Sequence, residues 1–380
     1  MSNLLVKIMF ISLGLFISGC GDDKKTEKIK NKYEDTSLTD ALDLQMLNQT
    51  NEAMKKLDKN DIWSGYSLSK QRIYMIKVDN GKPVGGYLIN PSHYVNGAEQ
   101  LGDNEDQGLN VFRYDINVKE AYKSLSANNG NGIYSFDYKV SGEGYYIQTY
   151  DMASVDINSG PADGSIRLLS HELFHSYQGK KFTQSSDYVQ EMNGYPIQKN
   201  LIALSLLMRD VMKDLPTKLT KQDALSRLEK YVTIKSEEIR LDSSNGLLVK
   251  NMGLWQEQVE GSAYYVDTML GKGIFPYAVG VTFFGSDGYN LDLTFGLNAQ
   301  ETFGWSYFYP SGASAIFLLE QAGFDIKKIE KGLSPYAAAK SIVSIDENDE
   351  VRLLAQMKID YPWDLIEVIA EDYYKQYLSQ

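Results

Sequence analysis

Leu169-Ser170-His171-Glu172-Leu173-Phe174-His175-Ser176-Tyr177-Gln178 is the stretch on which the reading of this chain turns. Ile166, Leu169, Leu173 and Phe174 give it an apolar side at helical spacing. This predicts an amphipathic helix over Ser165–Gln178, opened by Asp163 and Ser165 and closed at Gly179. Residues four apart lie on one helix face, so the imidazoles of His171 and His175 can reach one metal ion. Glu172 sits one step round from the first ligand, where it can touch a metal-bound water without being a ligand itself. Zinc suits such a site, because it takes nitrogen and oxygen ligands tetrahedrally and leaves one position open for water in catalytic centres. The chain contains only three histidines, and two of them frame this glutamate.

Upstream of that helix, residues 61–160 have the texture of a β-rich subdomain. Gln71–Val78 reads as a strand, Asp79-Asn80-Gly81-Lys82 as a hairpin turn and Val84–Ile89 as the returning strand. Leu109–Tyr114, Gly132–Val140 and Tyr145–Tyr150 are further strand candidates, separated by turns such as Asn128-Asn129-Gly130-Asn131-Gly132. Downstream, residues 161–380 read as mostly helical. Helices are expected over Pro196–Leu215, Thr220–Leu241, Asn251–Leu270 and Pro310–Ala322, the last two stopping at Gly271 and Gly323. Ile274–Phe303 is rich in glycine and aromatics and reads as irregular loops. Strands first and helices after make the fold class α+β.

The 380 residues are 43% hydrophobic and 23% charged, with a net charge of −12. That composition supports a packed core, excludes a wholly disordered or collagen-like chain, and lacks the basic footprint of a nucleic-acid binder. The 27 tyrosines suit either ligand-contacting surfaces or interior packing. At the N-terminus, the apolar run Ile8–Ile17 is too short to span a bilayer and has the form of a secretory signal. Ile17-Ser18-Gly19-Cys20 follows, and it resembles the bacterial lipobox. The single cysteine of the chain stands where that motif places the lipidated thiol. The resemblance implies removal of residues 1–19, a lipid anchor at Cys20, and a location in the bacterial cell envelope facing the periplasm or the exterior. Residues 20–60 then hold the anchor, a polar tether from Gly21 to about Thr36, and a first helix.

A catalytic zinc needs a third protein ligand. The remaining histidine, His93, lies in Asn90-Pro91-Ser92-His93, which reads as a loop, so a carboxylate is expected. Glu191, Glu257 and Glu260 are the candidates, the last two within Trp255-Gln256-Glu257-Gln258-Val259-Glu260-Gly261-Ser262-Ala263-Tyr264-Tyr265-Val266-Asp267. Asp267 and Glu257 are candidates for orienting a ligand histidine.

These motifs together resemble the gluzincin metallopeptidases of the aminopeptidase N type. Members of that family carry HExxH, then a tryptophan-containing helix with Glu-Gly-x-Ala-x-Tyr-x-Glu/Asp, then Tyr-x-x-Gly-Ala. Glu260, Gly261, Ala263, Tyr265 and Asp267 match the second pattern, and Tyr309-Pro310-Ser311-Gly312-Ala313 matches the third. The resemblance implies a thermolysin-like zincin unit with Glu260 as third zinc ligand, Glu172 as base and Tyr309 as oxyanion donor, Tyr307 being the neighbouring alternative. The implied function is Zn²⁺-dependent hydrolysis of a peptide or protein substrate. A binding lipoprotein on an inactive zincin scaffold is the alternative, against which the intact Glu172 argues. Two departures stand out. Glu260 follows His175 by about 85 residues, so two extra helices must be inserted with the site kept intact. The family's Gly-x-Met-Glu-Asn motif is missing. The strand Gly144–Tyr150 stands in its place, and such a strand could still pair with an extended peptide.

Overall fold

The computed structural model describes residues 40–59, 62–101, 109–129, 133–151, 163–183, 194–274, 283–284 and 298–379. The apolar leader, Cys20, the tether, Glu191 and most of 274–303 lie outside the described residues. Those described fall into two compact units, one within Met1–Leu173 and Gly273–Tyr277, the other within Phe174–Lys272 and Ala278–Gln380. No helix among the described residues is long and apolar enough to cross a membrane.

In the first unit, Asn80 and Gly81 adopt φ of 49° and 72°, the left-handed pair that lets a two-residue turn match the twist of its strands. The turn joins β1 (Ile73–Asp79) to β2 (Lys82–Ile89), close to the expected bounds. Further along come β3 (Glu99–Leu101), β4 (Val111–Arg113), β5 (Tyr134–Val140) and β6 (Glu143–Asp151). They form one sheet in the order β3-β4-β2-β1-β6-β5, antiparallel throughout except for the β1–β6 pair. Side chains alternate across it. Tyr74, Ile76, Leu88, Tyr145 and Ile147 form a buried core with Val118, Ala121 and Leu125 of α2 (Val118–Asn129), a helix inside the stretch that reads as strand-like. Lys77, Tyr87 and Tyr150 point to the opposite face. There Asp43 of α1 (Ala41–Asp58) accepts from Tyr87 Oη at 2.6 Å and Tyr150 Oη at 2.8 Å and pairs with Lys77 Nζ at 3.1 Å. One expectation is overturned by the register. The strand Gly144–Tyr150 is β6, and it is paired on both sides, parallel to β1 and antiparallel to β5. Its backbone groups are committed to the sheet, so it cannot take up a peptide as an added strand.

The second unit is helical. It follows from α3 (Asp163–Lys181), inside which the division between the units falls, through α4 (Lys199–Met212), α5 (Lys221–Arg240) and α6 (Leu254–Ile274). After α7 (Ala299–Glu301) and a wide turn, α8 (Phe308–Gln321), α9 (Pro335–Lys340), α10 (Glu347–Asp360) and α11 (Trp363–Leu378) complete it. Thr220 caps α5 as expected, accepting from Asp223 N at 3.1 Å. Gly323 ends α8 at φ 83°, also as expected. Other boundaries move. α3 runs through Gly179 to Lys181, and α6 runs through Gly271 and Gly273, because none of these glycines takes the left-handed conformation that terminates a helix. α4 begins only at Lys199, so Pro196 lies ahead of it. α8 begins at Phe308, which leaves Pro310 in the first turn where its missing N–H costs nothing. α6 and α8 touch backbone to backbone: a Cβ on Gly261 would fall 2.7 Å from Gly312 Cα, and one on Gly312 would fall 2.5 Å from the Glu257 carbonyl oxygen.

Candidate metal centre

The apolar side predicted for α3 is real, since Ile166, Leu169, Leu173 and Phe174 are all buried. That side fixes the helix's rotation, and with it where the histidines point. One ligand atom from each of His171, His175 and Glu260 lies within 4.8 Å of the other two. His175 Nε2 is 3.2 Å from Glu260 Oε2. Ligand atoms held at ~2.0–2.2 Å in a tetrahedron would stand about 3.3–3.6 Å apart, and this edge lies close to that range. Two imidazole nitrogens and a carboxylate oxygen are also the donor types that zinc takes. His171 and Glu260 are buried, and His175 is partly so.

Among the described residues, His93 and Glu257 are placed elsewhere, while Glu191 lies outside them. His93 is exposed, with Nε2 3.2 Å from Glu143 Oε1. Glu257, one turn before Glu260, is fully buried in a separate cluster on α5, α6 and α8. Lys235 Nζ lies 2.9 Å from its Oε1, Ser311 Oγ donates to the same oxygen at 2.6 Å, and Tyr231 Oη donates to Oε2. Lys235 also meets Glu238 at 2.7 Å, and Tyr307 Oη donates to Glu238 at 3.0 Å. Burial pushes the Glu238 carboxyl up, against the pull of Lys235. Tyr307 is thus built into the interior. Tyr309 is half-buried, its ring set edge-on against Tyr264, 6.3 Å between centroids. Tyr264 lies one turn beyond Glu260 on α6. Asp267 is buried rather than solvated and accepts from Thr268 Oγ1 at 3.1 Å.

Glu172 is fully buried. Two buried phenols of the first unit feel its charge: burial first, and Glu172 after it, raise Tyr66 and Tyr146. Tyr66 Oη donates to the Ser170 carbonyl at 2.8 Å, and Tyr146 Oη donates to Gln148 Oε1 at 2.6 Å. Gln148 Nε2 in turn reaches the Ser165 carbonyl at 2.8 Å. The N-terminal half of α3 is tied to β6 and to the segment before β1 by this set. Gln178 is the residue that sequence reasoning passed over, although it stands at the end of the quoted stretch, three places after His175. Its Oε1 is 2.7 Å from His175 Nδ1, and its Nε2 lies 2.7 Å from the Val259 carbonyl and 2.8 Å from Ser262 Oγ. A polar residue at the i+3 position of a candidate ligand histidine was the available signal.

No family model, curated protein or solved structure matches this chain.

Proposed function

We propose that the chain is a zinc-dependent metallopeptidase of gluzincin type, with a thermolysin-like catalytic unit, held by a lipid on Cys20 outside the cytoplasm of a bacterial cell. The observation that carries this reading is the convergence of His171 and His175, one turn apart on α3, with Glu260 on α6. These three residues would hold the ion. When bound, zinc supplies Lewis acidity toward a carbonyl and lowers the pKa of a water molecule toward ~7. Glu172, adjacent to His171 and fully buried, takes the proton of the attacking water and returns it to the leaving amine. Tyr309 donates a hydrogen bond to the oxygen that gains charge as the tetrahedral intermediate forms. The Gly261–Gly312 crossing supports this role, because it brings the helix carrying Glu260 against the helix carrying Tyr309 with no side chain between them.

The experiment is elemental analysis of the purified protein together with a peptide-cleavage assay. One zinc per chain is expected, abolished in His171→Ala and His175→Ala and strongly weakened in Glu260→Ala. A folded wild-type protein that takes up no zinc when zinc is supplied rules the reading out. A zinc-loaded protein that cleaves no peptide or protein leaves the metal centre and removes the peptidase.

A further inference from the structure

The Gln178 amide can be oriented without ambiguity. The Val259 carbonyl only accepts, so the Gln178 atom 2.7 Å from it is the donating Nε2. Ser262 Oγ gives its own proton to the Gln258 carbonyl at 2.6 Å and therefore accepts from Gln178 Nε2 at 2.8 Å. With Nε2 on this side, Gln178 Oε1 is left facing His175 Nδ1 at 2.7 Å. A carbonyl oxygen cannot donate, so Nδ1 carries the proton. In the neutral ring the lone pair is then on Nε2, the nitrogen turned to Glu260 Oε2. A lone pair and a carboxylate oxygen at 3.2 Å repel each other unless a cation or a proton is shared between them.

The amide is held on α6 at Val259 and Ser262, the residues on either side of the Glu260–Gly261 pair. One side chain therefore governs two ligands. It sets which nitrogen of His175 is presented, and it fixes the height of α6 at Glu260 relative to α3. Helices α4 and α5 separate His175 from Glu260 in the chain, so a short connection cannot do this.

We infer that Gln178 is a positioning residue which fixes His175 in its Nδ1–H form and locks Glu260 opposite its Nε2. The inference rests on the metal-centre reading for its purpose, but not for its test. In the metal-free wild-type protein, long-range nitrogen–proton NMR correlation on labelled histidine should show His175 protonated on Nδ1. Observation of the Nε2–H form overturns the inference whatever the metal does. In Gln178→Leu the Nδ1–H preference should be lost, and zinc affinity, read by competition with a chromophoric chelator, should fall by about 10- to 100-fold. An affinity within about twofold of wild type overturns the inference while leaving the metal centre intact. If neither protein binds zinc but the tautomer changes as expected, the positioning stands and the metal reading fails. Ser262→Ala, which removes one of the two acceptors holding the amide, is the milder companion if Gln178→Leu does not fold. It should weaken zinc binding by a smaller factor in the same direction, and an unchanged affinity there counts against the inference.

Discussion

Glu172 and Tyr309 carry the proposed chemistry, and their roles separate at the level of single atoms. Glu172→Gln keeps the shape of the side chain and removes the proton acceptor. Zinc content should be unchanged while peptide hydrolysis falls by about 10²–10⁴-fold; a variant that cleaves at near the wild-type rate means another group takes the proton. Tyr309→Phe removes one oxygen from a half-buried ring. Here kcat should drop by about 10²–10³-fold with KM and zinc content little changed, the pattern of an interaction made only in the transition state. Tyr307→Phe should behave differently. Its hydroxyl donates to Glu238 and accepts from Lys235 in a sealed cluster, so its loss should appear as about 1–3 kcal/mol in urea unfolding. If kcat collapses in Tyr307→Phe and survives in Tyr309→Phe, the oxyanion donor has been assigned to the wrong tyrosine.

Glycine decides much at the level of elements, and its effect depends on where it stands. At Gly261 and Gly312 an added Cβ would meet backbone of the facing helix at 2.7 Å and 2.5 Å, and backbone cannot swing aside. Gly261→Ala and Gly312→Ala should each destabilise the protein by roughly 1–3 kcal/mol or more by overpacking. At Gly179 nothing lies within 4 Å of an added Cβ, and α3 continues through the position. Gly179→Ala should therefore stabilise by about 0.5–1 kcal/mol in thermal or urea unfolding, whereas a helix-ending glycine would make the same change destabilising. This pair also shows what the sequence makes legible. The hairpin at Asn80-Gly81, the cap at Thr220 and the stop at Gly323 rest on local chemistry, and each is where its residues indicate. Gly179 and Gly271 carry the same local signal, yet neither takes the left-handed conformation and the helices continue through them. α2 was hidden among β-like neighbours. The pairing of β6 on both edges depends on the crossover that sets it beside β1, which no local pattern records. At the site, the i,i+4 histidines are legible because a helix fixes their spacing. Gln178 is less so, because its meaning depends on Val259 and Ser262 far along the chain.

At the scale of the whole molecule, an acid-rich chain has a tyrosine-rich interior, and the two facts are connected. Interior carboxylates are met repeatedly by phenols: the buried Asp43 by Tyr87 and Tyr150, Glu257 by Tyr231 and Glu238 by Tyr307, and the partly buried Glu320 by Tyr265. A phenol supplies a donor on a large apolar ring, so it adds a hydrogen bond without adding charge, beside the lysines that pair with Asp43, Glu238 and Glu257. Of the two uses that 27 tyrosines suggest, interior packing is the one these residues serve. The arrangement has a consequence at high pH. Burial, reinforced by neighbouring carboxylates, raises Tyr146 and Tyr150 in the first unit and Tyr195, Tyr231, Tyr265 and Tyr307 in the second well above the ordinary value of 10.0. The folded pKa of each lies above the unfolded one, so the stability it contributes is fully present below pH ~10. That contribution is lost as pH rises from there toward the folded value, because only the unfolded chain releases its protons. Each such group costs about 1.4 kcal/mol per pH unit in that window. Four in the second unit therefore remove about 5 kcal/mol per pH unit, against a usual domain stability of about 5–15 kcal/mol. Lys235, raised by Glu238 and Glu257 over the opposing effect of burial, acts with the same sign. The protein should unfold cooperatively within about one to three pH units above 10. Far-UV circular dichroism and tyrosinate absorbance, followed together across that range, should show the interior tyrosines ionising in the same step that loses the helices. Ionisation of all 27 phenols near their ordinary pKa with the circular dichroism unchanged would mean that these side chains are not sealed in the interior.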